Sequence, residues 1–151
     1  GEALLPEFAR YAQRVVKNTR TLAEALAQGG LRIVSGGTDT HLFLVDLTSM
    51  DLTGRQAEEA LGWVNIFVNR NAIPYDTKSP RVTSGLRIGT AALSSRGMGP
   101  EEMGRIGGLI LRILGNVGDQ TVEQEVRETV AELTARFPVP GITAEMGYPL
   151  K

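Results

Sequence analysis

The chain has 151 residues, 42% hydrophobic and 22% charged, a composition typical of one soluble globular domain with its own core. Its 16 basic and 17 acidic residues give a net charge of -1, so charge alone does not support binding to nucleic acid or to an anionic membrane. The absence of cysteine excludes disulfides, thiol nucleophiles and zinc–thiolate sites, and no apolar run approaches the roughly 18 residues that a membrane span requires.

Residues 1–30 are predicted to form a long amphipathic helix that leads into the domain that follows. Pro6 suits the first turn of a helix, and apolar residues then recur at steps of three and four as far as Leu26. Gly29 and Gly30 follow and predict its end. The chain lacks an initiator methionine and begins close to a helical pattern, so we expect it to be a piece of a longer protein.

Residues 31–137 are predicted to form an α+β domain in which helices cover one face of a small, mainly antiparallel sheet. Short apolar segments predict its four strands, at residues 31–34, 41–45, 64–68 and 86–88. The first two strands are separated only by a turn, which favours an antiparallel pairing.

Three helices are predicted within this domain. Thr53 and Gln56 form a capping box that opens the first. Pro100, followed by two glutamates, marks the start of the second, and an apolar stripe over residues 122–137 predicts the third. The tail at residues 138–151 is rich in proline and is expected to be irregular.

Several polar motifs have an ordinary structural interpretation. His41 is the single histidine and opens a strand directly after a turn, so we interpret it as structural rather than as a catalytic partner of Ser35 or Asp39. One histidine without cysteine does not support a transition-metal site. The SGGT segment at residues 35–38 lacks the glycine spacing of phosphate-binding loops and predicts a plain turn. Four acidic residues are expected on the solvated surface: Asp46, Asp51, Glu58 and Glu59.

Arg87 is the residue that most needs a partner. Its neighbours Gly85, Leu86, Ile88 and Gly89 offer no polar group, so the sequence predicts a poorly solvated guanidinium. Strand alternation places Leu86 and Ile88 on one face and Arg87 on the other. A guanidinium in such surroundings must be paired, and its planar fork suits a carboxylate. The residues alone leave two alternatives, an internal ion pair or an acidic ligand.

The loop before Arg87, residues 71–84, is a second candidate site. Two prolines stiffen it, and uncharged donors and acceptors come from Asn71, Ser79, Thr83 and Ser84. This set suits a flat, neutral heterocycle, and it equally suits an ordinary surface connection.

Four segments, in order, resemble the C-terminal domain of serine hydroxymethyltransferase. They are VVKNTRTLAEAL (15–26), IVSGGTDTHLFLVDL (33–47), LTGRQAEEAL (52–61) and VNRNAIPYDTKSPRVTSGLRIGT (68–90), and the similarity continues through SSRGM at 94–98. The resemblance implies the small C-terminal domain of a fold type I pyridoxal-phosphate enzyme, the aspartate-aminotransferase fold. Such an enzyme interconverts serine and glycine with tetrahydrofolate as the one-carbon acceptor. The resemblance also implies a cytoplasmic homodimer or homotetramer whose partners are small molecules rather than nucleic acid or membrane.

The resemblance also implies roles for individual residues. The arginine of the family's TSG-x-RIGT motif, here Arg87, would hold the amino-acid carboxylate through two parallel hydrogen bonds. Asn71 would reach the pteridine end of the folate, and Ser79 and Pro80 would contact the same ring through the backbone. The family commonly has phenylalanine where this chain has Arg81, which would make the edge of the folate site polar.

The family's cofactor lysine has no counterpart in this chain, because Lys17, Lys78 and Lys151 lack its sequence context. The residues that stack on pyridoxal phosphate and hold its phosphate group are missing as well. We therefore expect an N-terminal partner domain to bind the cofactor, and no catalytic, cofactor-binding or metal-binding residue in this fragment. The fragment alone should be inactive. A free-standing carboxylate-binding domain, or a purely structural assembly domain, is the alternative.

Overall fold

The computed structural model describes residues 1–142, which form one antiparallel sheet with helices packed against one face. The helices are α1 (Pro6–Gln28), α2 (Gly54–Trp63), α3 (Ala91–Ser95), α4 (Pro100–Leu114) and α5 (Gln120–Arg136). The strands are β1 (Arg32–Ile33), β2 (Leu42–Asp46), β3 (Asn69–Asn71) and β4 (Gly85–Gly89). Their order across the sheet is β1-β2-β4-β3, and all neighbours are antiparallel. The predicted α+β class is therefore confirmed.

The two faces of the sheet differ in burial. Residues of β2 and β4 that point towards the helices are almost completely buried, and they are Phe43, Val45, Leu86 and Ile88. The other face, which we call the open face, carries the alternate residues of each strand. By strand register these are Arg32, Leu42, Leu44, Asp46, Asn69, Asn71, Gly85, Arg87 and Gly89. No helix of the described residues packs over Arg87 on this side, so the open face is where a ligand or a second domain can approach.

Helix α1 is held against the rest of the domain by close packing and by buried polar contacts. A Cβ atom on Gly107 of α4 would lie 2.9 Å from Cβ of Ala25, so α1 and α4 cross with little space between them. The Thr90 hydroxyl, immediately after β4, bonds to the Thr19 hydroxyl at 2.7 Å and to the Val15 carbonyl at 3.1 Å. These contacts fix the end of β4 against α1.

The predicted helix ends are confirmed where capping chemistry signals them. In α2, the Gln56 N–H donates to the Thr53 hydroxyl and the Thr53 N–H donates to the Gln56 side chain, which completes the capping box. Helix α4 begins at Pro100, as predicted, and the Glu102 carboxylate accepts from the N–H of Gly99. Side chains satisfy N–H groups that a helix leaves unpaired at its start.

The predicted strand at residues 64–68 is wrong. The N–H groups of Val64 and Ile66 both donate to the Leu61 carbonyl, and Asn65 has a φ of 63°, so this segment terminates α2. Val64 is fully buried as part of the core, which explains why the run is apolar. The strand forms later, at β3, where the backbone is free to pair with β4.

Residues 138–142 contain no helix or strand, and the remainder of the predicted irregular tail lies outside the described residues. None of the helices within residues 1–142 combines the length and the hydropathy needed to cross a bilayer.

Candidate functional site

Arg87 lies at the centre of the open face, and its side chain is exposed. The expected alternation is confirmed, since Leu86 and Ile88 are buried under the helices while Arg87 points the other way. The expectation of a poorly solvated guanidinium is wrong for this chain. Apolar neighbours along a strand belong to the opposite face, so they do not shield an alternate residue from water.

Asp46 is the second correction, because it is not on the solvated surface. Its side chain is 6% exposed and accepts from Nε of Arg32 at 2.7 Å. The Thr48 hydroxyl and N–H also donate to it, at 2.7 and 2.9 Å. Burial alone would raise the pKa of Asp46, but the bonds from Thr48 and the ion pair with Arg32 hold that pKa below its usual value. The carboxylate is therefore ionised and fully occupied, and it neutralises Arg32.

Arg87 has no such carboxylate. Among the described residues it makes no ion pair, and its side-chain hydrogen bond runs from Nη2 to Oδ1 of Asn69 at 3.3 Å. An amide oxygen carries no formal charge, and one long bond leaves most of the five guanidinium donors for other partners. Of the two arginines on the open face, Arg32 is neutralised and Arg87 is not. The internal ion pair is therefore not formed among the described residues, and the Arg87 guanidinium is open to solvent.

The other predicted binding residues lie at two places around Arg87. Asn71 ends β3 opposite Gly85 and shares the open face with Arg87, and its Nδ2 donates to the Ala72 carbonyl at 2.7 Å. Ser79, Pro80 and Arg81 are exposed in a turn of the following loop. This turn is closed by bonds from the N–H groups of Val82 and Thr83 to the Ser79 carbonyl, both at 2.9 Å. The structure thus brings Asn71 and Arg87 onto one surface and presents residues 79–81 on the loop that leads into β4.

Asp76 organises that loop. Its carboxylate accepts from the Lys78 N–H at 2.9 Å, from the Ser84 hydroxyl at 2.7 Å and N–H at 2.8 Å, and from the Ile73 N–H at 3.3 Å. Burial acts to raise the pKa of Asp76, but these four donors outweigh it and lower the pKa to about 2. The carboxylate ties both ends of the loop together.

Two of the loop's uncharged donors and acceptors make contacts within the loop itself. Ser84 is buried and donates to Asp76, and Thr83 is buried with its N–H bonded to the Ser79 carbonyl. The Thr83 hydroxyl donates to the Gly85 carbonyl at 3.4 Å, so both hydroxyls serve the loop's own structure, as the alternative of an ordinary surface connection predicts. The polar residues of this loop therefore serve, at least in part, to hold the loop in its own conformation.

The glycines that flank Arg87 allow close backbone approach within the protein. A Cβ atom on Gly85 would lie 2.5 Å from the Val45 carbonyl oxygen and 2.5 Å from Cγ2 of Ile73. On Gly89 it would lie 3.0 Å from the His41 carbonyl oxygen. Both positions serve the packing of the sheet and of the loop beside it.

The remaining candidates make local contacts or lie exposed on the surface. The His41 side chain is exposed, and its carbonyl accepts from the Thr90 N–H at 3.3 Å. The segment at residues 35–38 forms a turn, in which the Thr38 hydroxyl donates to the Leu42 carbonyl at 2.7 Å. Glu58 pairs with Arg70 and Glu59 with Arg55. Within the described part of the chain, no group of three or more potential metal ligands is found.

The two lysines within residues 1–142 lie outside the strands of the sheet. Lys17 lies on α1 and Lys78 in the loop, and both are exposed. The open face within residues 1–142 presents neither a lysine to bond the cofactor nor an aromatic ring to stack on it. Lys151 lies outside the described residues.

Fold and site together define a small α+β domain with an exposed arginine on the open face of its sheet. None of the described residues neutralises this arginine. A family model described as serine hydroxymethyltransferase matches residues 1–110. This match covers more than half of the chain, which therefore belongs to the serine hydroxymethyltransferase family. Membership implies the chemistry of a pyridoxal-phosphate-dependent transferase, and it confirms the resemblance found in the sequence.

Sequence reasoning missed two residues that shape the site, Asn69 and Asp76. Asn69 was detectable as the first member of an Asn-x-Asn pattern, which places both asparagines on one face of a strand. Asp76 stands two residues before Lys78, whose N–H it accepts, and this spacing is that of an Asx turn.

Proposed function

We propose that this chain supplies the substrate-carboxylate arginine and part of the folate site of a serine hydroxymethyltransferase. Pyridoxal phosphate would be bound by a partner domain that covers the open face. The observation that supports the proposal is the state of Arg87, which is exposed at the centre of that face beside an amide and without a carboxylate partner among the described residues.

The role of Arg87 follows from guanidinium geometry. Two N–H groups on one edge can donate parallel hydrogen bonds to both oxygens of an amino-acid carboxylate, which fixes its position and its orientation. On an open surface water competes with these bonds. A domain that covers the face would exclude the water and strengthen the charge interaction. Arg87 thus binds and orients the amino acid, and it takes no part in proton transfer.

The folate assignment rests on the shared surface. Asn71 offers an amide on the same face as Arg87, so a ligand that reaches Asn71 would lie beside the bound amino acid. The exposed turn at residues 79–81 would border the same ligand, with Arg81 placing a positive charge at its edge.

The absence of a cofactor lysine gives the first test. The 151-residue chain alone should not convert serine to glycine with tetrahydrofolate and should not acquire the absorbance of bound pyridoxal phosphate. Adding a separately expressed cofactor-binding domain of a serine hydroxymethyltransferase should produce activity that depends on both components. Turnover by the purified chain alone would contradict the proposal.

Arg87→Lys gives the second test, in the enzyme assembled from both components. An ammonium cannot reproduce the two parallel bonds, so most of the activity with serine should be lost. Arg32→Lys is the matched control, because Arg32 lies on the same face but is already paired with Asp46. If kcat and KM of Arg87→Lys both stayed within about twofold of wild type, no transition-state or ground-state contact would have been lost, and the carboxylate role would be refuted.

A second candidate is an assembly role without catalysis. It is favoured by three exposed apolar side chains at the start of α1, Leu4, Leu5 and Phe8, which are 86%, 52% and 41% exposed. Sedimentation of the chain would reveal a stable dimer if this surface drives association.

A dimeric or tetrameric cytoplasmic enzyme is part of our main proposal, on the basis of family membership.

A further inference from the structure

The geometry points to Asn69 as a positioning residue that holds the Arg87 guanidinium in place while leaving its charge available to a ligand. This inference rests on the proposed carboxylate-binding role of Arg87. It goes beyond that role, because it names the residue of this chain that selects an external acid over an internal one.

The first argument is strand register. Asn69 and Arg87 are directly opposite each other on β3 and β4, and both lie on the open face. Side chains of such cross-strand pairs are close neighbours. The Asn69 amide can accept from the guanidinium only through Oδ1, which is the contact observed, at 3.3 Å from Nη2.

The second argument is a comparison that the sheet itself provides. Arg32 and Asp46 form another directly opposed pair on the same face, again an arginine facing an Asx residue across two antiparallel strands. There the Asx residue is an aspartate, and it binds the arginine at 2.7 Å. At Arg87 it is asparagine, which has nearly the same shape without the charge. The difference between these pairs is a carboxylate, and it decides whether the arginine remains open to an external acid.

The third argument is that Asn69 is held firmly enough to orient a partner. The next residue, Arg70, donates from its backbone N–H to Oε1 of Glu58 at 3.1 Å, and its side chain pairs with the same carboxylate. This contact fastens the edge strand β3 to α2. Asn69 therefore contacts Arg87 from a strand that is held along one edge by pairing with β4 and on its helix-facing side by the Arg70–Glu58 ion pair.

The test uses the two-component enzyme with 15N-labelled arginine in the 151-residue chain, observed by NMR and titrated with glycine. The Arg87 side-chain signal is assigned by its loss in Arg87→Lys. Asn69→Asp should weaken glycine binding at Arg87 about fivefold, as expected for an exposed ion pair that competes with the ligand. Asn65→Asp is the matched control, since it adds the same charge at an exposed position outside the sheet. Aspartate, like asparagine, tolerates the positive φ of residue 65, so this variant should bind glycine as tightly as wild type.

Asn69→Ala tests positioning without any ligand. Loss of the amide contact should accelerate rotation of the Arg87 guanidinium, measured by exchange between its Nη signals, while circular dichroism confirms the fold. Unchanged rotation in Asn69→Ala, or glycine affinity in Asn69→Asp equal to that of Asn65→Asp, would overturn the inference. Failure of the proposed function is distinct: glycine would then bind the Arg87→Lys two-component enzyme as tightly as the wild-type one.

Discussion

Replacing Asp76 by asparagine should destabilise the loop beside the open face and remove one component of the protein's acid sensitivity. The side chain keeps its size, but one of its two acceptor oxygens becomes an NH2 group. That group would face the donors that Lys78 and Ser84 now direct at the carboxylate. A donor opposed to a donor costs more than the simple loss of a hydrogen bond.

The magnitude follows from the pKa of Asp76, which is lowered from 3.8 to about 2. At about 1.36 kcal/mol for each pKa unit, this difference corresponds to about 2.4 kcal/mol of stabilisation of the charged form. Solvent screening of this half-buried carboxylate reduces the expected effect on the free energy of unfolding to about 1–2 kcal/mol. Because the native pKa is the lower one, the stabilisation is fully present above the unfolded-state pKa of about 4 and is lost as the pH falls through about 2.

The assay is urea unfolding followed by circular dichroism at several pH values between 7 and 2. Asp76→Asn should be less stable than wild type at pH 7, and this difference should shrink steadily as the pH falls below about 5. Asp51→Asn is the control, because Asp51 is exposed and asparagine tolerates its φ of 54°. If the two variants were equally stable at pH 7, or if the gap between Asp76→Asn and wild type did not change with pH, the reasoning would be refuted.

Three further predictions concern the site and its support. In the two-component enzyme, Asn71→Ala should raise the KM for tetrahydrofolate more than it weakens glycine binding, and equal losses would count against the folate assignment. Gly85→Ala should lower the free energy of unfolding by about 1–3 kcal/mol, because its Cβ would lie 2.5 Å from the Val45 carbonyl oxygen. Gly104→Ala is the control: a Cβ there meets open space within α4, so this change should stabilise the protein by about 0.5–1 kcal/mol. A similar loss of stability in both variants would show that crowding is not the cause. Thr90→Val should cost about 0.5–1.5 kcal/mol by removing the buried bonds to Thr19 and the Val15 carbonyl, which still bond to each other, with Thr90→Ser closer to wild type in thermal unfolding.

Local patterns predicted much of the fold. The apolar period of α1 and the capping box of α2 are local signals, each set by residues a few positions apart. They therefore predict a helix without any knowledge of the tertiary contacts. The alternation around Arg87 correctly placed it opposite Leu86 and Ile88. The apolar run at 64–68 misled because its hydrophobicity serves a helix terminus and a core contact, and period alone does not distinguish these from a strand.

Burial of the charged residues was the point at which local reasoning failed, in opposite directions for two of them. Arg87 was expected to be shielded and is exposed, whereas Asp46 was expected to be solvated and is buried. Both residues lie on the same face of one sheet. Their exposure depends on which segments fold over each end of that face, and neither residue's sequence neighbours contain this information.

By itself, the sequence determined the α+β class, the positions of the long helices, the family, and the arginine on which the proposed function depends. Only the tertiary structure decided that Asp46 neutralises Arg32, that Asp76 closes the loop, and that an amide rather than a carboxylate stands opposite Arg87. The physical reason is that these contacts join residues distant along the chain, and strand register determines which side chains meet.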